Sequence, residues 1–326
     1  YCGQHNRDII LKARQLGFTT FKMISDLDDC LFIENFSAGC ICHNMDSAKD
    51  IFRNKIKFAY NNISDDQRLL ISEIGYDMPT PTSDKGNAYV FSNGSSIKVG
   101  TSYRGDTLQS LHVSEFGKIC KKYPDKAMEI VTGAFESVPA DGGVITLEST
   151  AEGKEGYFFK YCNDAKRLKD LNKPLSVLDF KFHFFSWWLR PEYAIKGDIS
   201  EALIKYFDEL EHKHGISLTD NQKAWYSAKW KVLGDDMRRE YPSTPKEAFE
   251  QSIEGAYYAK EFVDIYKDGR ILDISAYDNK GDVHVQSDIG VGDSTALWFY
   301  RLVGKEVHVL HYHANSGEGL GYYLKY

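Results

Sequence analysis

Lys12-Ala13-Arg14-Gln15-Leu16-Gly17-Phe18-Thr19-Thr20 is the stretch on which the reading of this chain turns. It follows a short apolar strand, Ile9-Ile10-Leu11, and Gly17 opens a helical pattern that runs to about Phe32. A loop in that position can hold an anion, because the first N–H groups of a helix lack partners within the helix and point outward together. In the common form of such a loop a lysine directly precedes the hydroxyl residue. Here Phe18 stands in that slot, before Thr19, and the nearest lysine is at the start of the loop. The bare pattern is equally that of an ordinary strand–turn–helix connection, so the neighbouring segments have to decide.

Working outward, strands and helices alternate through the first half. Ala38 to His43 reads as a strand, and Asn44 and Asp46 are candidate caps for a helix from Ser47 to about Asn61. Ala88–Phe91 and Ser96–Thr101, joined by Ser92-Asn93-Gly94-Ser95, form a hairpin by the Asn-Gly turn signal. Ser110–Val113, Val144–Leu147 and Leu178–Phe185 are further strands, with helices over Asp125–Ser137 and Glu155–Leu168. This alternation predicts an α/β fold with a mostly parallel sheet and helices on both faces. After Pro191 the pattern is helical, at Ser200–His212, Thr219–Leu233 and Asp235–Tyr241, until Tyr241-Pro242-Ser243-Thr244-Pro245 breaks the chain. Val283–Asp288, Ala296–Leu302 and Glu306–Tyr312 read as consecutive strands, with Gly290-Val291-Gly292 and Val303-Gly304-Lys305 as turns. The expected domains are therefore residues 1–190, a core; 191–275, a helical subdomain; and 276–326, the start of another domain.

At 326 residues the chain exceeds what one core usually holds. Its 42% hydrophobic and 27% charged content is ordinary for a globular protein, and no apolar run approaches the ~20 residues of a membrane span. The six cysteines are scattered, and Cys40-Ile41-Cys42 lies too tightly spaced in an apolar strand for a zinc site, so reduced structural cysteines are expected. A net charge of −7 speaks against a surface coated for nucleic acid without excluding a local groove. Tyr1 and the segment Leu320–Tyr326 suggest a piece of a longer protein.

A second chemical signal is Ser110-Leu111-His112-Val113-Ser114-Glu115, an apolar strand ending in an acid. Such a strand end can aim a carboxylate at whatever the loop holds, where Glu115 would orient and deprotonate an attacking water. It is also a common surface feature. Tyr103-Arg104-Gly105-Asp106 precedes it, and Ile145-Thr146-Leu147-Glu148-Ser149-Thr150-Ala151-Glu152-Gly153 follows.

In this order, the segments resemble the large subunits of bacteriophage terminases, which carry phosphate loops of the form Lys/Arg-x-x-Arg/Gln-x-Gly-x-Ser/Thr. Lys12, Arg14, Gly17 and Thr19 sit on that pattern. The resemblance implies a RecA-like ATPase core in which residues 12–15 and 17–20, Lys12, Ala13, Arg14, Gln15, Gly17, Phe18, Thr19 and Thr20, bind ATP. Lys12 would reach the β- and γ-phosphates, Gly17 would let the backbone approach, Arg14 would sense the γ-phosphate, and Thr19 would bind Mg²⁺. Glu115 is then the catalytic acid, although Ser114 replaces the aspartate that usually precedes it and contributes at most a hydroxyl toward the metal. Arg104, eleven residues before Glu115, matches an arginine finger acting in a neighbouring subunit, while a surface arginine at a turn remains open. Ser149, Thr150 and Gly153 match a coupling motif of the form Ser/Thr-Thr-x-x-Gly. Phe185-Ser186-Trp187-Trp188 and Glu240–Phe249 look like recurring linker segments, to which no chemistry is assigned.

Ser287-Asp288-Ile289-Gly290-Val291-Gly292-Asp293 resembles the first strand of the family's RNase H-like nuclease, with Asp288 as its first Mg²⁺-binding carboxylate and Asp293 either assisting it or sitting at the hairpin turn. The family's other nuclease acids follow later, so the expectation is at most one weakly held metal and no cutting of DNA by these residues. The implied partners are double-stranded DNA, further copies in a ring, a portal protein and a terminase small subunit, in the host cytoplasm and away from membranes. Two other readings stay open: a helicase-like P-loop motor, and an inactive prophage remnant that binds partners without turning over ATP.

Overall fold

The computed structural model describes residues 5–103, 105, 107–250, 265, 268–271, 281–289, 295–315 and 319–325. Arg104, Asp293, Cys2 and the Gly290-Val291-Gly292 turn lie outside the described residues, as does Ser275 at the expected domain boundary. The chain divides into two compact units, Tyr1–Ala259 and Lys260–Tyr326.

In the first unit an eight-stranded sheet forms, in chain order, from β1 (Arg7–Lys12), β2 (Ser37–Ile41), β3 (Pro81–Asp84), β4 (Ala88–Phe91), β5 (Ser96–Gly100), β6 (Ser110–Ser114), β7 (Val144–Ser149) and β8 (Lys181–Phe185). Its spatial order is β3-β4-β5-β2-β6-β7-β1-β8. Five of its seven pairings are parallel; only β3–β4 and β4–β5 run antiparallel. The α/β class with a mostly parallel sheet is thus what the chain adopts. Strand β7 lies between β1 and β6, which brings the ends of all three together.

Period-2 alternation sorts the strands' side chains onto two faces. Ile9, Leu11, Leu111, Val113, Ile145 and Leu147 point toward α5 (Phe116–Lys122), α6 (Pro124–Glu129) and α7 (Gly156–Asp170), in one buried cluster. Ala38, Cys40, Ile97 and Val99 point the other way, toward α1 (Phe18–Phe32) and α2 (Met45–Ile51). Both faces being covered explains the near-continuous apolar strands. The helix expected over Ser47–Asn61 is one helical run, capped by the Asn44 side chain on the Ser47 N–H, but it widens into a π segment over Phe52–Lys57 before α3 (Phe58–Asn61).

Several elements were not anticipated. Helix α4 (Asp65–Glu73) buries no side chain, so it carries no apolar stripe to read, and it is fixed by a Ser64–Gln67 capping box. Strand β3 is a short, half-exposed edge. Helix α5 begins directly after β6, where the sequence shows no loop residues. The helices after Pro191 are α8 (Glu201–His214), α9 (Asp220–Leu233) and α10 (Asp236–Glu240). Pro245 does not end the helical region: it starts α11 (Pro245–Glu250), with Thr244 Oγ1 accepting from the Glu247 N–H at 3.3 Å. A proline at the first helical position loses no hydrogen bond.

These helices enclose an aromatic cluster of Trp187, Tyr193, Phe207, Trp225, Tyr226 and Tyr241, in which Ala13 of the β1–α1 loop is also buried. The second unit holds an antiparallel meander of β9 (His284–Asp288), β10 (Thr295–Val303) and β11 (Glu306–Asn315), followed by the short α12 (Leu320–Tyr323). Cys30, Cys40, Cys42, Cys120 and Cys162 are all buried free thiols. Among the described residues no helix is long and apolar enough to cross a membrane.

Candidate nucleotide site

β1 ends on Lys12, and the loop Ala13–Gly17 turns the chain into α1. Gln15 and Gly17 both have positive φ, at 54° and 82°, with Leu16 between them on the negative side. Alternating hands of this kind turn successive N–H groups toward one concavity. The N–H groups of Gln15, Leu16 and Gly17 have no hydrogen-bond partner among the described residues. Those of Ala13 and Arg14 are committed instead, to Phe185 O at 2.8 Å and Glu240 O at 2.9 Å, and Tyr193 Oη donates to Arg14 O at 2.8 Å. The loop is therefore held at its base by β8 and the helical region, and open at its tip.

The loop delivers two side chains to one point. Lys12, only 5% exposed, places Nζ 3.1 Å from Glu148 Oε2 and 3.5 Å from Glu115 Oε1. Thr19, in the first turn of α1, donates through Oγ1 to Glu148 Oε1 at 2.8 Å and lies 3.3 Å from Ser114 Oγ. Ser114 donates to the same Glu148 oxygen at 2.8 Å. Strand register explains the meeting: Ser114 of β6 and Ile10 of β1 flank Glu148 of β7 on either side.

Glu148 was not nominated from the sequence, yet it is the centre of the site. It is fully buried, with His112 Nε2 3.6 Å from its Oε1. Burial alone would push its carboxyl upward. The Lys12 charge, His112 and the Thr19 hydroxyl overcome that and hold it well below the usual carboxylate range. Desolvation likewise works against the Lys12 ammonium, and the charges of Glu148 and Glu115 more than reverse it, so Lys12 is raised. The available signal was an acid inside the apolar strand Val-Ile-Thr-Leu-Glu-Ser, where the residues on either side of it, Leu147 and Ser149, are buried and a carboxylate must be paired.

Glu115, its side chain about a third exposed (34%), caps α5 with φ 55° and ψ 44°. A non-glycine residue in this left-handed conformation costs about 1–2 kcal/mol, a strain that aims the carboxylate into the cleft instead of along β6. Burial, then repulsion from Glu148, raises its carboxyl above the ordinary value, with Lys12 partly offsetting both.

The other expected residues take simpler places. Phe18 packs against Phe185 of β8, ring centroids 4.6 Å apart, which accounts for an aromatic residue where a lysine is usual. Arg14 is 58% exposed and ion-paired with Glu240, a partner the sequence reading passed over. Arg239 links Glu240 onward to Glu152, at 3.0 and 3.1 Å. Ser149 and Thr150 are buried at the end of β7, with Ser149 on the face opposite Glu148, toward Gly117 of α5. Thr20, in the first turn of α1, is half-buried. Asp288, in the other unit, is exposed at the end of β9.

Two hydroxyls and a carboxylate within 3.3 Å of one another form an all-oxygen donor set that suits Mg²⁺. Among the described residues no group of three or more His, Cys, Asp or Glu could hold an ion by itself. A magnesium ion that takes most of its ligands from phosphate and water fits this arrangement, and an all-protein cage does not.

No family model matches the chain, and no curated protein matches it. Among solved structures it is similar to the large terminase ATPase domain of Thermus phage P74-26, at 11% identity, covering 74% of this chain and 88% of that one, with a TM-score of 0.43. It is also similar to the large terminase from a thermophilic bacteriophage in complex with ADP, at 11% identity over 98% and 67% of the two chains, TM-score 0.39. The Phi-28 gp11 DNA packaging motor is similar at 10% identity over 95% and 77%, TM-score 0.33. At TM-scores below 0.5 these likenesses carry no inference about activity or residues in this chain.

Proposed function

We propose that the chain is the ATP-hydrolysing motor subunit of a viral DNA-packaging terminase, which couples hydrolysis to movement of double-stranded DNA into a procapsid. The observation that carries this reading is the convergence of Lys12, Thr19, Ser114 and Glu115 around the ends of β1, β6 and β7. A phosphate loop and a strand-end acid serve hydrolysis of a nucleoside triphosphate when both face one point.

Each group then has a task. The open N–H groups of residues 15–17 and the Lys12 ammonium hold the phosphates. Thr19 and Ser114 would hold Mg²⁺, which neutralises phosphate charge when it accompanies the nucleotide. Glu115 orients the attacking water and accepts its proton, a task that its raised carboxyl suits near neutral pH. Arg104 acts in the site of a neighbouring subunit in a ring, and Ser149 and Thr150 relay occupancy to the rest of the unit. The ring would stand on a portal protein in the host cytoplasm, with a terminase small subunit as a further partner. Asp288 would belong to a nuclease site, which it does not form by itself.

Steady-state ATP hydrolysis with and without double-stranded DNA tests the reading, alongside Glu115→Gln. DNA-stimulated turnover that the variant loses is the expected result. A folded chain that binds no ATP, or turnover that Glu115→Gln leaves unchanged, would refute it.

A further inference from the structure

Ser114 stands where the resemblance implies an aspartate, while one strand away the buried carboxylate of Glu148 does more than pair with Lys12. Glu148 lies in register with Ser114 and accepts from the Ser114 and Thr19 hydroxyls through the same oxygen, at 2.8 Å each. Its other oxygen, Oε2, is buried and faces the Lys12 ammonium, with Nζ at 3.1 Å. A carboxylate introduced solely to neutralise Lys12 has no need of two hydroxyls on its far oxygen. Those hydroxyls are the ones a nucleotide-bound cation would engage.

We infer that Glu148 is the positioning carboxylate for the nucleotide's Mg²⁺, a role transferred from the end of β6 to the intervening strand β7. This rests on the proposed ATPase reading and deepens it. Through the bonds to Glu148 Oε1, Thr19 and Ser114 are oriented with their lone pairs free for the ion or its waters. Taking the carboxylate from a strand between β1 and β6 also keeps it within reach of both.

Affinity for ADP, measured by calorimetry with Mg²⁺ and again with EDTA, separates this role from charge balance. Wild type is expected to bind ADP about tenfold or more tightly with Mg²⁺ than without. In Glu148→Gln the ratio of the Mg²⁺ affinity to the EDTA affinity should fall to within about threefold of one, whatever the EDTA affinity itself becomes, and Ser114→Asp in the same chain should restore the ratio. If Glu148→Gln does not fold, Glu148→Asp keeps the charge beside Lys12, withdraws the carboxylate by one methylene, and carries the same expectation. Full Mg²⁺ enhancement in either folded variant would overturn the inference, as would wild-type ADP binding indifferent to Mg²⁺. A wild type that binds no nucleotide at all would instead bring down the ATPase reading beneath it.

Discussion

The backbone N–H of Arg14 donates to the carbonyl oxygen of Glu240 at 2.9 Å, joining the β1–α1 loop to the end of α10. The Arg14 side chain returns to the Glu240 carboxylate, and Tyr193 Oη holds the Arg14 carbonyl. The helical region therefore contributes to the site by fixing the base of the loop, with Ala13 seated in its aromatic cluster.

Removing one of these tethers should be visible in binding. Tyr193→Phe deletes a hydroxyl and leaves the ring stacked on Trp225, so stability should fall by about 0.5–1.5 kcal/mol. ATP affinity should fall by about three- to tenfold as the loop loses preorganisation. Thermal unfolding and calorimetric binding check both; a stability loss with unchanged affinity would make the tether purely architectural.

Lys12 and Glu148 should behave as one unit. Lys12→Met strands a buried carboxylate and is expected to cost about 3–5 kcal/mol. Adding Glu148→Gln should recover most of that loss, while ATP affinity stays low because the cation is still missing. Denaturant unfolding of the two single variants and the double variant measures the coupling. Simple additivity would mean that the two groups are not paired in solution.

Glu115→Gln should cut hydrolysis by about a hundredfold or more while leaving ATP binding largely intact. The same variant has a pH signature. The unfolded Glu115 carboxyl titrates near 4.5 and the folded one higher, so between the two values the folded chain holds a proton that the unfolded chain has lost. Wild-type stability contributed by this group therefore falls as pH rises through that window. Gln cannot ionise, so the difference in Tm, variant minus wild type, should increase from about pH 4 toward neutrality. A difference that shrinks over that range would show the carboxyl to be lowered instead.

At Gly117 a Cβ would meet Ser149 Oγ and Thr150 O, both at 2.9 Å. Gly117→Ala gains about 1 kcal/mol of helix propensity, yet the overpacking should make it destabilising by about 1–3 kcal/mol. Because the displaced groups end β7, hydrolysis should suffer more than nucleotide binding if Ser149 and Thr150 relay occupancy. Equal losses in kcat and in ATP affinity would argue against that relay.

The frame of the molecule was legible where periodicity and turn chemistry coincide, as in Ile9-Ile10-Leu11 leading to Gly17, or in the hairpin around Asn93-Gly94. Helix α4 escaped because all its apolar residues remain accessible, and α11 because Pro245 reads as a stop until Thr244 is seen to cap it. In the site, the residues of the β1–α1 loop and at the end of β6 were proposed from what the resemblance implies, since their local pattern also fits an ordinary strand–turn–helix connection. Glu148 could not be named, because its importance arises from β7 being inserted between β1 and β6, and strand order is not written in any local pattern. Glu240 was hidden for the same reason: its partner, Arg14, is distant in sequence.

The packing of Phe18 on Phe185 has a historical side. To carry the lysine in its common slot instead, a descendant of this chain would have to place a cation where two rings now touch and also vacate position 12. If the cation at position 12 goes first, Glu148 is left buried without its salt bridge; if Glu148 goes first, Lys12 keeps only its longer contact to Glu115. Each single step is worse than either endpoint. A lineage that has once adopted this loop is therefore held in it, and the triplet of Lys12, Phe18 and Glu148 should be inherited together or replaced together.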